Sequence, residues 1–247
     1  MNYNEKYQKW VSKEDLDPTL KAELLSMDET AKEDAFYTDV EFGTAGMRGI
    51  LGAGTNRLNI YVIQKANVGF AKYIASLPEG KERGVAIGYD NRHMSYKFAI
   101  ESAKVLATYG IKSYIFESLR PTPELSFAVR YLKCAGGIMI TASHNPPKYN
   151  GYKVYWEDGA QIVPPHDKGI IEEVNKITDF GEIKNIEKEK VNEALKDLTS
   201  TQFRRIDLHI VNEITIRDVA KLEKVQKSQI QKSLELGLKK IKKFFEE

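Results

Sequence analysis

GVAIGYD (84–90), IKSYIF (111–116) and GGIMITAS (136–143) are short apolar runs rich in strand formers. Between them stand MSYKFAIESAKVLATY (94–109) and PTPELSFAVRYLK (121–133), both with helical periodicity. Gly110 follows the first of these, where a helix C′ residue belongs. Strand, helix, strand, helix, strand at this spacing predicts an α/β fold: a three-layer α/β/α sandwich with a mixed, largely parallel sheet. In such sheets ligands sit at the carboxyl ends of strands, and Asp90 and Ser143 close two of these runs.

Outward from that core, residues 3–36 read as helical and charged, with Trp10, Val11, Leu16, Leu20, Leu24 and Leu25 as apolar positions. EFGTAGMRGILGAG (41–54) holds five glycines in fourteen positions, which argues against both a helix and the interior of a paired strand. IYVIQKANVGFAKYIASL (60–77) is periodic, with Asn59 as its N-cap. GYKVYWEDGAQIV (151–163) reads as a hairpin turned at Asp158-Gly159, and PPHDKGIIEEVNKI (164–177) as a helix begun by prolines. Beyond about 178 glycine and aromatic residues thin out and the chain becomes charged and helical. Residues 200–247 carry 11 Lys+Arg against 7 Asp+Glu, a shift that marks a boundary near 195–200. The expected organisation is a domain over 1–195 and a basic helical tail over 196–247.

The 247 residues, 42% hydrophobic, suffice for one large domain plus an appendage. Lys+Arg and Asp+Glu nearly balance, at 37 and 35, which excludes general polyanion binding by the whole surface. The single cysteine, Cys134, excludes an intramolecular disulfide and a cysteine-based zinc site and fits a reducing cytoplasm. The opening MNYNEKYQKW lacks signal-peptide character, and no apolar run reaches a bilayer span, so a soluble cytoplasmic protein is expected.

TASHNPPKYNGYK (141–153) follows the third strand with residue types poor in regular structure, so it must turn at the sheet edge. It displays a hydroxyl (Ser143), an imidazole (His144), an amide (Asn145) and an amine (Lys153). Each alone fits an ordinary connection in which Ser and Asn cap backbone. As a group at a strand end they equally fit a nucleophile with its helpers. The flanks of Ser143 do not make a G-x-S-x-G elbow, and no G-x-x-x-x-G-K-[ST] loop occurs. The glycine loop 43–54 can offer backbone N–H groups to a phosphate, with Arg48 as a bidentate clamp on its oxygens.

EFGTAGMRG (41–49) and TASHNPPKYNGYK (141–153), with YDNRHMS (89–95) and PTPELSFAV (121–129), resemble the α-D-phosphohexomutase family. The wording is most like its bacterial phosphoglucomutase branch, which includes phosphopentomutase-like members, and the resemblance spans roughly residues 1–195. It implies that Ser143 carries a phosphoryl group, donates it to glucose 1-phosphate to form a bisphosphate, and takes back the other phosphate to release glucose 6-phosphate. By the same resemblance Arg48, Thr44 and Asn145 hold phosphate oxygens, and Lys153 is the general acid/base, its pKa lowered by cationic surroundings. His144 orients groups around the phosphoserine. Magnesium bridges the phosphoserine Ser143 and a set of aspartates, with glucose 1,6-bisphosphate as activator. Family members have four domains, and the D-x-D-x-D-R metal loop of the second has no counterpart after residue 195. The expectation is a truncated mutase with little turnover alone.

EITIRDVAKLEKVQKSQIQKSL (213–234) resembles the helix-turn-helix of LacI-type repressors, although the turn after Glu223 has no glycine. Ile216, Val219, Ala220, Leu222, Val225 and Ile230 would form its core, and Lys224, Lys227, Gln229 and Gln231 would face nucleic acid. An amphipathic helix pair with a solvated basic face is the other reading. The alternative function is thus a non-catalytic phosphosugar-binding module with a helix-turn-helix-like interaction tail.

Overall fold

The computed structural model describes residues 2–43, 46–178, 198–206 and 215–246. The chain divides into two compact units, Met1–Ile183 and Lys184–Glu247. The first opens with three short helices, α1 (Tyr3–Val11), α2 (Pro18–Leu25) and α3 (Glu29–Phe36). Each has an acceptor at its N-cap: Asn2, which forms a capping box with Glu5, then Asp17 and Asp28. The aspartates and Pro18 thus divide the single helical stretch read over 3–36. Trp10 meets Phe36 and Tyr61 edge to face, at 5.7 and 5.5 Å between ring centroids, and ties these helices to the main core.

Next come β1 (Gly46–Ile50), α4 (Ile60–Ala75), the short α5 (Gly80–Arg83), β2 (Val85–Tyr89), α6 (Ser95–Thr108) and β3 (Ser113–Ile115). Then follow α7 (Thr122–Tyr131), β4 (Gly136–Ile140), β5 (Tyr149–Trp156) and α8 (His166–Asn175). Asn59 caps α4 through Val62 N, and Gly110 follows α6 with φ +69°, as the sequence predicts. The sheet order is β1-β5-β4-β2-β3, parallel across β4-β2-β3 and antiparallel across β1-β5-β4.

Alternation along the strands assigns the layers. Val85, Ile87, Ile138, Ile140, Tyr152 and Val154 join the large core with Phe70 and Ile74 of α4 and with Phe98 and Leu106 of α6. Their neighbours Ala86, Met139 and Tyr155 face the other way and pack with Leu125 and Val129 of α7. Helices therefore cover both faces of a mixed sheet, the sandwich expected.

One local expectation is corrected and another is narrowed. The glycine-rich segment does contain a paired strand: β1 runs antiparallel to β5, with Gly46 opposite Lys153 and Arg48 opposite Gly151. Close backbone approach explains it, since a Cβ on Gly46 (φ +119°) would stand 2.0 Å from the Tyr152 carbonyl oxygen. The hairpin read over 151–163 does turn at Asp158-Gly159, and its returning arm is short: an antiparallel bridge between Tyr155 and Gln161, flanked by Trp156 N donating to the Ala160 carbonyl and Ile162 N to the Val154 carbonyl. Residues 149–156 are already taken up by pairing with β4 and β1, which leaves only the end of β5 open to a third partner.

In the second unit, α9 (Ser200–Ile206), α10 (Ile216–Glu223) and α11 (Lys227–Glu246) bury Val219, Ala220, Ile230 and Leu234, with Leu198, Ile216 and Val225 packed against them. Leu222, expected in this core, is 61% exposed. The stripe at 216, 219, 220 and 223 follows helical spacing, and Leu222 falls off it. Its last position holds Glu223, inside through a 2.7 Å ion pair with Arg205. Lys224 adopts the left-handed conformation (φ 54°, ψ 42°), so the turn closes without glycine. Lys224, Lys227, Gln229 and Gln231 are all exposed. Among the described residues no helix is long and apolar enough to cross a membrane.

Candidate active site

Beyond the end of β4 the backbone turns sharply. Ser143 sits there in the left-handed region, φ +56°, a conformation that costs a residue with a Cβ and marks a place held by its surroundings. Its N–H donates to Thr141 Oγ1 at 2.9 Å, and Asn145 N donates to the Ala142 carbonyl at 3.1 Å. Ser143 and His144 are exposed, with Ser143 Oγ 3.4 Å from His144 Nδ1. The hydroxyl is open to solvent on a turn whose backbone is pinned.

The pin is Arg92, in the turn between β2 and α6. Its guanidinium donates to four loop carbonyls: those of Ser143 and Asn145 at 2.7 Å each, and those of Pro146 and Tyr149 at 3.1 Å each. Arg92 Nε faces Asp90 Oδ2 at 3.4 Å. Asp90 Oδ1 in turn accepts from Arg92 N and from Ser95 Oγ, and the buried Asn150 donates to Ser95 Oγ. Asp90 at the strand end was legible in the sequence. Nothing in the local sequence marks Arg92, because the groups it holds lie 51 to 57 residues further along the chain.

Arg48 comes from the edge strand β1 and Lys153 from β5 beside it. Their register partners, Gly151 and Gly46, put both side chains on one face of the β1–β5 pair. Arg48 is exposed and donates to Asn145 Oδ1 at 2.8 Å. Burial pushes the Lys153 ammonium below its usual pKa, the Arg48 charge pushes it further, and the Asp90 carboxylate opposes both. Burial thus leads, ahead of the cationic neighbour. A shift in this direction readies an amine to take or give a proton nearer neutral pH. Thr44, the remaining expected phosphate ligand, lies outside the described residues.

Magnesium finds one oxygen of its expected set here, Ser143 Oγ. Among the described residues no three His, Cys, Asp or Glu side chains converge, and Asp90 is committed to Arg92 and Ser95. The donors present do not make a divalent-cation site by themselves.

The phosphoglucomutase/phosphomannomutase alpha/beta/alpha domain I model matches residues 39–180. A Staphylococcus epidermidis phosphoglucomutase is 50% identical over 131 residues, which are 53% of this chain and 24% of that one. A mouse phosphopentomutase is 43% identical over 148 residues, 57% of this chain and 24% of that one. A crystal structure from Thermus thermophilus that carries a phosphomannomutase name aligns with 34% identity and a TM-score of 0.50, over 58% of this chain and 31% of that one. The chain spans about a quarter of the length of the curated relatives it matches. Match and sheet agree: the chain belongs to the phosphoglucomutase/phosphomannomutase family, and residues 39–180 are its alpha/beta/alpha domain I.

Proposed function

We propose that this chain carries the phosphoryl-accepting serine of a phosphosugar mutase, Ser143, and interconverts glucose 1-phosphate and glucose 6-phosphate, slowly by itself. The observation that carries the reading is the exposed Ser143 hydroxyl on a turn pinned by Arg92, with an exposed Arg48 and a Lys153 of lowered pKa on the adjoining β1–β5 pair. In loading, Ser143 Oγ attacks a phosphorus of glucose 1,6-bisphosphate, the P–O bond to the sugar breaks, and the seryl proton leaves with the sugar oxygen. In transfer, a hydroxyl of glucose 1-phosphate attacks the phosphoserine, the Oγ–P bond breaks, and the hydroxyl proton passes by way of neutral Lys153 to the departing Ser143 Oγ. The bisphosphate then reloads Ser143 from its other phosphate.

Arg48 spreads its donors over the oxygens of the moving group, where such transfers gather charge. His144 and Asn145 border the same oxygens, Asn145 by holding Arg48. Thr44 belongs to the proposal as a further phosphate ligand. The resemblance adds magnesium, whose remaining ligands would come from outside the described residues, and no step here runs through it. A cytoplasmic setting is part of the proposal, supported by the lone, buried, free Cys134.

The test is a single-turnover experiment. Chain loaded at Ser143 should release phosphoryl to added glucose 1-phosphate far faster than to water, with glucose bisphosphate as product. Equal release with and without the sugar overturns the mutase reading.

A second reading concerns residues 213–234 and rests on the closed α10–α11 turn at Lys224 with Lys227, Gln229 and Gln231 exposed on the following helix. It makes the second unit a duplex-DNA contact. Retention of the chain on DNA that falls steeply with salt supports it; no retention at low salt removes it.

A further inference from the structure

We propose that Arg92 is a positioning residue for phosphoryl transfer, one that fixes where the Ser143 hydroxyl stands without touching the phosphoryl group. The proposal rests on the reading of Ser143 as the phosphoryl acceptor. An arginine has five N–H donors in a rigid planar fork. Here four of them are spent on the carbonyls of Ser143, Asn145, Pro146 and Tyr149, and the remaining edge faces Asp90. No donor is left for a phosphate oxygen. Arg48 differs: among the described residues it spends one N–H, on Asn145, and stays exposed.

The carbonyl grip acts on the serine itself. Fixing the Ser143 carbonyl at 2.7 Å, in a residue at φ +56°, sets the direction of the Cα–Cβ bond that carries the exposed hydroxyl. The other three carbonyls hold the turn to Tyr149, where β5 begins. Beneath Arg92 the support continues into regular structure. Asp90 closes β2, Ser95 opens α6, Asn150 belongs to β5, and the hydrogen bonds among them are 2.7 and 2.9 Å. Ser95 and Asn150 are fully buried. The loop is therefore registered against three elements of the fold through one guanidinium, whose side chain is 12% exposed. Reacting atoms must be placed to within about 1 Å, and misplacement on that scale costs roughly 100-fold in rate.

Arg92→Lys tests this, because an ammonium keeps the charge beside Asp90 but cannot span carbonyls from Ser143 to Tyr149. Two readouts are taken on the whole chain: amide exchange, and phosphoryl uptake at Ser143 from glucose 1,6-bisphosphate as a function of its concentration. The expected result is faster exchange confined to 143–149 and uptake slowed about 100-fold at saturating donor, with the half-saturating concentration little changed. Unchanged exchange in the loop overturns the proposal, as does faster exchange with undiminished uptake. Should Arg92→Lys fail to fold, Ser95→Ala removes the brace under Asp90 without touching the loop and must give the same pattern at smaller amplitude. If the unaltered chain takes up no phosphoryl, it is the Ser143 reading that falls, and the exchange data still decide whether Arg92 sets the loop.

Discussion

The two sides of the 143–149 turn are built to opposite rules. On its inner side Arg92 is almost enclosed, and its donors meet backbone carbonyls or Asp90. On its outer side Ser143, His144 and Arg48 are exposed, and the described hydrogen bond of Arg48 is the one to Asn145. The inner side is satisfied internally and contributes rigidity. The outer side is left for solvent or a ligand to satisfy, and it contributes chemistry. Charge of one sign serves both, yet substitutions on the two sides should have different signatures.

The largest effect belongs to the outer side. Ser143→Ala should abolish phosphoryl uptake with the melting transition unmoved, because the residue is exposed and its hydroxyl has only a long 3.4 Å contact, to the equally exposed His144. Uptake persisting in that variant would mean that the outer side of the turn does not carry the phosphoryl acceptor. Arg48→Ala should slow uptake by about 100- to 1,000-fold, the scale for losing a donor to developing charge. Its stability should stay within about 0.5 kcal/mol, as for other exposed substitutions. A large stability loss would move Arg48 to the structural side.

Gly46→Ala probes what carries Arg48. A Cβ there meets the Tyr152 carbonyl at 2.0 Å at a φ that disfavours it, so β1 should part from β5 at a cost of about 2–4 kcal/mol. Urea unfolding measures that loss; a value near zero would mean that β1 is not held by this close approach. The smallest effects are titrations. Arg48→Gln removes a charge that lowers the Lys153 pKa, so the Lys153 titration should move up in pH, toward the ordinary lysine value. Asp90→Asn removes a charge that raises it, so the same titration should move down. NMR titration of the Lys153 side chain reads both, and shifts in the same direction would contradict the assignment of neighbours.

Much of the scaffold was legible because it is local. Asn59 and Gly110 sit where helix ends require them, and the apolar runs at 85–89 and 136–140 became the central strands. The serine turn was legible for the same reason, since residue types unfit for strand or helix follow a buried run. What escaped depends on distance. β1 is made possible by Tyr152, about a hundred residues away, so counting glycines within 41–54 pointed the wrong way. Arg92 is one charge among many in sequence and acquires its task only when the turn folds over it. Leu222 leaves its expected place and Glu223 takes the inner position because Arg205, on another helix, supplies the partner that lets a carboxylate go inside.

The most direct test of the account is to incubate the chain with glucose 1,6-bisphosphate and map the phosphoryl group by peptide mass. The account predicts one group per chain, on Ser143, and none on Ser143→Ala. A folded chain that stays unlabelled, or one labelled elsewhere, would contradict it.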